Sequence, residues 1–198
     1  MSSLAEQILE YASREAEGLP LTAKAFLHLG SRAAVDQALS RLAASNRLLR
    51  VGRGLYVRPE RTRFGLRPPS TESVMRGIEE RQGDIVVPHG AAEANSLGLT
   101  TQVPVREIFL TSGRTRNLSL GGREVELRHA PAWKLVLAHR VAGAAIRALC
   151  WAGPERAREV VIALKARLSA SDVRELLAAR TRLPTWMARE ISSLTARA

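Results

Sequence analysis

A single cysteine, Cys150, stands among 198 residues, so no disulfide can close within the chain, and a reducing cytoplasm is the expected setting. No apolar run approaches the roughly 20 residues that span a bilayer, so no membrane partner is expected. The opening MSSLAEQILEYASREAEG lacks the cationic start and apolar core of a signal peptide. Aromatic residues make up only 4% of the chain, and Trp133, Trp151 and Trp186 fall in predicted helices beside apolar positions, which suits cores better than base stacking. Histidine is scarce too. His28, His89, His129 and His139 are far apart and show no metal-ligand spacing, so no metal is expected. His89 follows a predicted strand and precedes a helix, where it can cap backbone or help hold an anion. Asp84 and Glu93 are isolated carboxylates. There is no Walker sequence, no GxSxG, and no Gly-Ser turn with paired acids to hold Mg²⁺. These absences argue against an enzyme: no catalytic residue and no cofactor is expected.

Acidic residues are also in deficit. The chain carries 30 Lys and Arg against 19 Asp and Glu, a net charge of +11, and 27 of the cations are Arg. Arg forms planar bidentate contacts with phosphate and guanine, although GC-rich coding also enriches it. Distribution says more than the total. Between Arg32 and Arg67 lie nine cations and two acids, net +7. Residues 71–198 carry 19 cations and 13 acids, net +6.

The local pattern where that charge concentrates is specific. Ser3 with Glu6 forms a capping box, and Leu4, Ile8 and Tyr11 share one face of a first helix. Thr22 is placed to cap a short helix whose apolar side is Ala25, Phe26 and Leu29, with Gly30 supplying a positive φ at its end. Ser31 caps the next helix, which buries Val35, Ala38, Leu39 and Leu42. Its other face presents Ala33, Gln37 and Ser40, flanked by Arg32, Asp36 and Arg41. That face is small enough to enter a major groove and polar enough to bond base edges. After Asn46 the period becomes two, through Leu49, Val51, Leu55 and Val57, with Gly52-Arg53-Gly54 as a hairpin turn. Helix, turn, helix and basic hairpin predict a winged helix-turn-helix. Its expected DNA-contacting set is Arg32, Ala33, Gln37, Ser40, Arg41, Arg50, Arg53, Arg58, Arg61 and Arg63.

The predicted fold is α+β in two domains: a winged helix over 1–60, a basic Pro/Arg-rich linker over 61–70, and a mixed domain over 71–198 with a short sheet and a helical tail. The second domain is expected to open with a helix from Thr71 to Arg81 and a strand from Asp84 to Val87. A helix from Ala91 to Leu97 and a strand from Val105 to Thr111 follow. A hairpin around Gly121-Gly122 comes next, then helices over 132–151, 154–167, 170–180 and 184–197. Cys150 reads as a structural thiol in an apolar helix. Arg106, Arg114, Arg116, Arg123 and Arg128 surround the strands. They form either a second surface for flanking DNA or RNA, or a solvated sheet face balanced by Glu124 and Glu126.

The order of the basic hairpin GRGLYVRP, PHGAAEANSLGLTTQVP, EIFLTSGRTRNLSLGGREVELRHAP and a helical tail resembles the AbiEi-like antitoxins of bacterial type IV abortive-infection toxin–antitoxin systems. The resemblance runs from about Leu4 to Ala188 and is most specific over Gly90–Pro104 and Thr111–Pro131. It implies an N-terminal domain that binds inverted repeats in its own promoter and represses it, as a monomer or a dimer on DNA. It also implies a C-terminal domain that counteracts a nucleotidyltransferase-like toxin without a stable complex. By position, the family's DNA-contacting cations would fall on Arg32, Arg41, Arg50 and Arg53. The residues alone leave open a winged-helix regulator without a toxin partner, or a protein or RNA interaction module.

Overall fold

Residues 3–195 are described in the computed structural model, and among them the chain is mixed α+β, with seven α-helices and eight short strands. Contacts divide it into two units. Unit 1 holds the described residues up to Asp84 together with Arg116–Glu126; unit 2 holds Ile85–Thr115 and the described residues from Leu127 onward.

Unit 1 opens with α1, Leu4–Arg14. The Ser3 hydroxyl accepts from the Glu6 amide while the Glu6 carboxylate accepts from the Ser3 amide, so both ends of the capping box are made. The next element is a 3₁₀ turn, Ala23–Phe26, where an α-helix was expected; Thr22 precedes it without a side-chain cap bond. Gly30 is not at positive φ, because a single tight turn of four residues needs no left-handed residue to stop it. Helix α2, Arg32–Ala44, begins at Ser31, whose hydroxyl accepts from the Ala34 amide, and buries Val35, Ala38, Leu39 and Leu42 as its period requires. Ser45 caps its end, and Asn46 beyond the cap is a non-glycine residue at φ 56°.

Strands β1, Leu49–Gly52, and β2, Leu55–Val57, pair antiparallel with Arg50 opposite Tyr56, and the connecting turn is Arg53-Gly54 with Gly54 at φ 66°. Leu21 ties this hairpin to the helices: its amide donates to the Tyr56 carbonyl at 2.7 Å, and the Tyr56 amide donates back at 3.0 Å. The core beneath joins Ile8, Phe26, Leu39 and Leu48, all fully buried, with Tyr11 edge-on to Phe26 at 5.2 Å between ring centroids. Each such side chain contributes roughly 1.5–3 kcal/mol by leaving water.

The stretch expected as a linker is structured. Strands β3, Glu60–Thr62, and β4, Gly65–Arg67, form a second hairpin, with Thr62 Oγ accepting from the Phe64 amide across the turn. Pro68 and Pro69 follow this hairpin and so break no ladder. Helix α3, Thr71–Gln82, expected to open the second domain, belongs to unit 1. Gly77 lets it lie against the segment before the 3₁₀ turn: a Cβ there would stand 2.7 Å from Pro20 Cδ and 2.8 Å from the Gly18 oxygen. Arg81, near its end, donates to Tyr11 Oη at 2.7 Å and pairs with Glu15 at 2.8 Å. The hydrogen bond to Tyr11, aided by Glu15, holds its guanidinium above the usual range. Strand β7, Arg116–Leu120, and the first half of β8, Arg123–His129, complete unit 1 as the expected hairpin, with both turn glycines at positive φ.

In unit 2, β5, Val86–Pro88, pairs antiparallel with β6, Glu107–Thr111, in the register Val87 opposite Leu110. The second half of β8 runs on the far side of β6. Helix α4, Gly90–Ser96, lies close along α5, Val141–Lys165; a Cβ on Gly90 would stand 2.2 Å from the Arg147 carbonyl oxygen. The helix expected over 132–151 is broken. A 3₁₀ turn spans Ala132–Leu135, Leu137 sits at φ 55°, and α5 starts only at Val141. The predicted helix start at Pro154 does mark a break, since Gly153 inside α5 has non-helical φ 78° and ψ 172°. Helices α6, Ala170–Ala179, and α7, Thr185–Ser192, pack on α5 around Ile146, Leu149, Leu164, Met187 and Ile191. Residues 196 and 197 of the last predicted helix lie outside the described residues.

Arg140, just before α5, forks onto the Glu175 carboxylate of α6. The Arg140 hydrogen bond holds the Glu175 carboxyl below its ordinary range. A carboxylate lowered on folding stabilises above its unfolded pKa, about 4.3, and loses that contribution as pH falls through the folded value. Glu175→Gln is therefore expected to lower the melting temperature at about pH 7, with the difference from wild type shrinking to nothing in strong acid. Melting curves across pH check this; a difference that persists unchanged at about pH 2 contradicts it.

Candidate nucleic-acid interface

Residues at i, i+4 and i+7 share a helix face. Ala33, Gln37 and Ser40 do so on α2, and all three are exposed, opposite the buried row that anchors the helix. Arg41 is exposed one turn beyond Gln37. Arg32 is exposed as well, but its Nε donates to Asp36 at 2.8 Å, so this cation is held along the helix by its neighbour. On the first hairpin, Arg50 is exposed opposite Tyr56 and Arg53 is exposed in the turn.

The remaining basic residues belong to the second hairpin and its approach. Arg58 is half-buried and, with Arg61 and Arg47, borders an open groove of about 460 Å³ that also includes Glu17 and Glu60. Arg67 is bound to Glu60 at 2.7 Å. At the tip, Arg63 stacks its guanidinium 4.6 Å from the Phe64 ring centroid, and Phe64 is 85% exposed. Phe64 lies in the stretch expected to be a linker, yet an aromatic directly between an arginine and a glycine, Arg63 and Gly65, is a visible signal in the sequence.

The five arginines read as a second basic surface divide between the units. Arg116 and Arg123 lie in unit 1, and Arg106, Arg114 and Arg128 in unit 2. Arg116 is half-buried: it donates to Gln82 Oε1 at 2.7 Å and stands 3.8 Å from Asp84, so it serves structure more than surface. Arg106, Arg114, Arg123 and Arg128 are exposed. Cys150 is half-buried in α5. His89 caps α4, its Nδ1 accepting from the Ala91 amide at 3.2 Å, which is the local backbone role considered for it.

Sequence reading missed the buried pair in unit 2. Arg147, with 2% of its side chain exposed, sends Nε and Nη2 to Glu93 Oε1 at 3.0 and 2.7 Å, and Nη2 also reaches the Ala138 carbonyl at 2.8 Å. Glu93 and Arg147 are 54 residues apart, so no local spacing could reveal them. Among the described residues, no group of three or more His, Cys, Asp or Glu is placed to hold a metal ion, and no helix is long and apolar enough to cross a membrane.

The fold and surface define a mixed α+β protein whose first unit exposes Arg41, Arg50, Arg53, Arg61 and Arg63. Residues 7–175 match the model of a family of unknown function, DUF6088, and the chain belongs to that family. No curated protein and no solved structure matches the chain.

Proposed function

We propose that the first part of unit 1, through the β1–β2 hairpin, is a winged helix-turn-helix that binds double-stranded DNA by sequence and represses its own promoter. The observation that carries this is the face of α2: Ala33, Gln37 and Ser40 stand exposed on a helix whose opposite row is locked in the core. A helix so held presents small and amide side chains to base edges without backbone obstruction, and Gln suits the paired acceptor and donor of adenine. The hairpin supplies Arg50 and Arg53 for phosphate, and its backbone tie to Leu21 through Tyr56 fixes it against the helices. Phosphate contacts position and base contacts specify, and the two residue sets here divide along that line.

The resemblance to AbiEi-like antitoxins extends the proposal: unit 2 would counteract a nucleotidyltransferase-like toxin, without a lasting complex between the two proteins. The protein would then act in the cytoplasm, as a monomer or as a dimer assembled on inverted repeats.

The division of labour is tested by two substitutions. Gln37→Ala is expected to cost roughly 1–3 kcal/mol on the preferred site and little on random DNA. Arg53→Ala is expected to weaken both alike and to flatten the salt dependence by about one unit of log K against log salt. Fluorescence anisotropy with both DNAs separates these effects; equal losses on specific and random DNA for Gln37→Ala would assign base reading to another face.

A further inference from the structure

Unit 2 contains a cavity of about 150 Å³ that the DNA-binding proposal does not use. Its walls come from separate stretches: His89 after β5, Leu110 in β6, Arg128 and His129 at the end of β8, Lys134 in the 3₁₀ turn, and Arg147 and Cys150 in α5. Five basic side chains border it, and none of the lining residues is an acid. Arg147 is the buried member. Its Nε and Nη2 are taken by Glu93 and the Ala138 carbonyl, while Nη1 is buried and has no partner among the described residues. A buried donor left unmade is costly, so a guanidinium nitrogen in that state beside a basic cavity calls for an acceptor. His89 borders the same cavity, with its Nδ1 committed to the Ala91 amide. His129 donates from Nδ1 to the Gly113 carbonyl at 2.8 Å, so it borders the cavity without adding a donor to it on a neutral ring.

The geometry points to a binding site for the phosphate group of a phosphomonoester, with the Arg147 guanidinium at its floor and Arg128 and Lys134 at its mouth. Several donors converging from separate elements suit a tetrahedral dianion. Size limits the ligand. Pockets for whole drug-sized molecules run to about 300 Å³ or more, so this one holds the phosphate and a few attached atoms, and the remainder of the molecule leaves past exposed Arg128 and His129. The site does not depend on the DNA-binding reading of unit 1.

Inorganic phosphate is the first probe, titrated calorimetrically into the full chain in phosphate-free buffer. Cys150 is the only thiol and borders the cavity, so its alkylation by iodoacetamide reports occupancy directly. The expected result is saturable one-site binding that slows alkylation. Lys134→Gln should weaken binding about tenfold with little change in melting temperature, because Lys134 is half-exposed and gives up only its contact with the Trp133 ring, 5.3 Å from Nζ to the centroid. Arg147→Gln should abolish binding but also disturbs the buried pair, which is why the rim variant carries the decision. Arg53→Ala should bind phosphate as wild type does. Ribose 5-phosphate and a 5′-phosphorylated oligonucleotide, each set against its 5′-hydroxyl counterpart, distinguish a small-molecule source from a nucleic-acid end. Absence of saturable binding, binding indifferent to Lys134→Gln, or an unchanged alkylation rate overturns the assignment.

Discussion

Leu39→Asp is expected to unfold unit 1 and abolish DNA binding. Leu39 is fully buried on α2 among Ile8, Phe26 and Leu48, the residues that join the first helix, the 3₁₀ turn and the strand side. Removing a buried leucine costs about 2–5 kcal/mol by itself. A carboxylate placed there without a partner adds several kcal/mol, or must bind a proton to stay. Domains of this kind are held by only about 5–15 kcal/mol in total. Gln37→Asp, two residues away on the exposed face, is the control, and it should change stability by no more than about 0.5 kcal/mol. Circular dichroism melts with denaturant titration read the contrast. A Leu39→Asp protein that melts like wild type would mean that α2 is not anchored by this row.

Glu93→Ala is expected to have the second-largest effect, in unit 2. Glu93 accepts two bonds from Arg147, and both side chains are almost wholly buried. Truncating one partner strands the other charge out of water, which costs about 3–5 kcal/mol. Replacing both is a different matter: Glu93→Leu with Arg147→Met keeps the volume and removes both charges, so the double variant should be closer to wild type than Glu93→Ala is. Denaturant midpoints of the single and double variants make the cycle. A near-neutral Glu93→Ala would mean that water compensates Arg147 and that the pair holds little of unit 2 in place.

Features set by neighbours in sequence were the ones that could be read in advance. The Ser3–Glu6 box, the Ser31 cap with the buried row of α2, and the turns at Arg53-Gly54 and Gly121-Gly122 each depend on contacts within a few residues, and each is present. Features decided by distant packing leave no such local mark. Helical composition over 132–151 gives no sign that Leu137 must adopt φ 55° and delay α5 to Val141; there Gly143 lies so close to the Leu137 carbonyl that a Cβ would stand 2.0 Å from it. Paired prolines suggested a linker over 61–70, yet they lie just beyond the strands and leave room for the β3–β4 hairpin. Helix α3 spans the expected residues but belongs to unit 1, because its contact with Gly18 and Pro20 through Gly77 is not a local property. The candidate DNA face was legible because amphipathic period exposes one side of α2 as surely as it buries the other. The Glu93–Arg147 pair and the basic cavity beside it come from separate stretches of chain, and no spacing rule reaches them.

Binding of the purified protein to the DNA just upstream of its own reading frame, against scrambled DNA of equal length and over a range of salt, tests the central claim most directly. The account predicts tighter binding to the upstream fragment, by about 10³-fold or more at physiological salt. It also predicts a steep loss with salt, near −5 in log K against log salt for about six phosphate contacts. Equal affinity for the two fragments, or no binding to either in dilute salt, would contradict it.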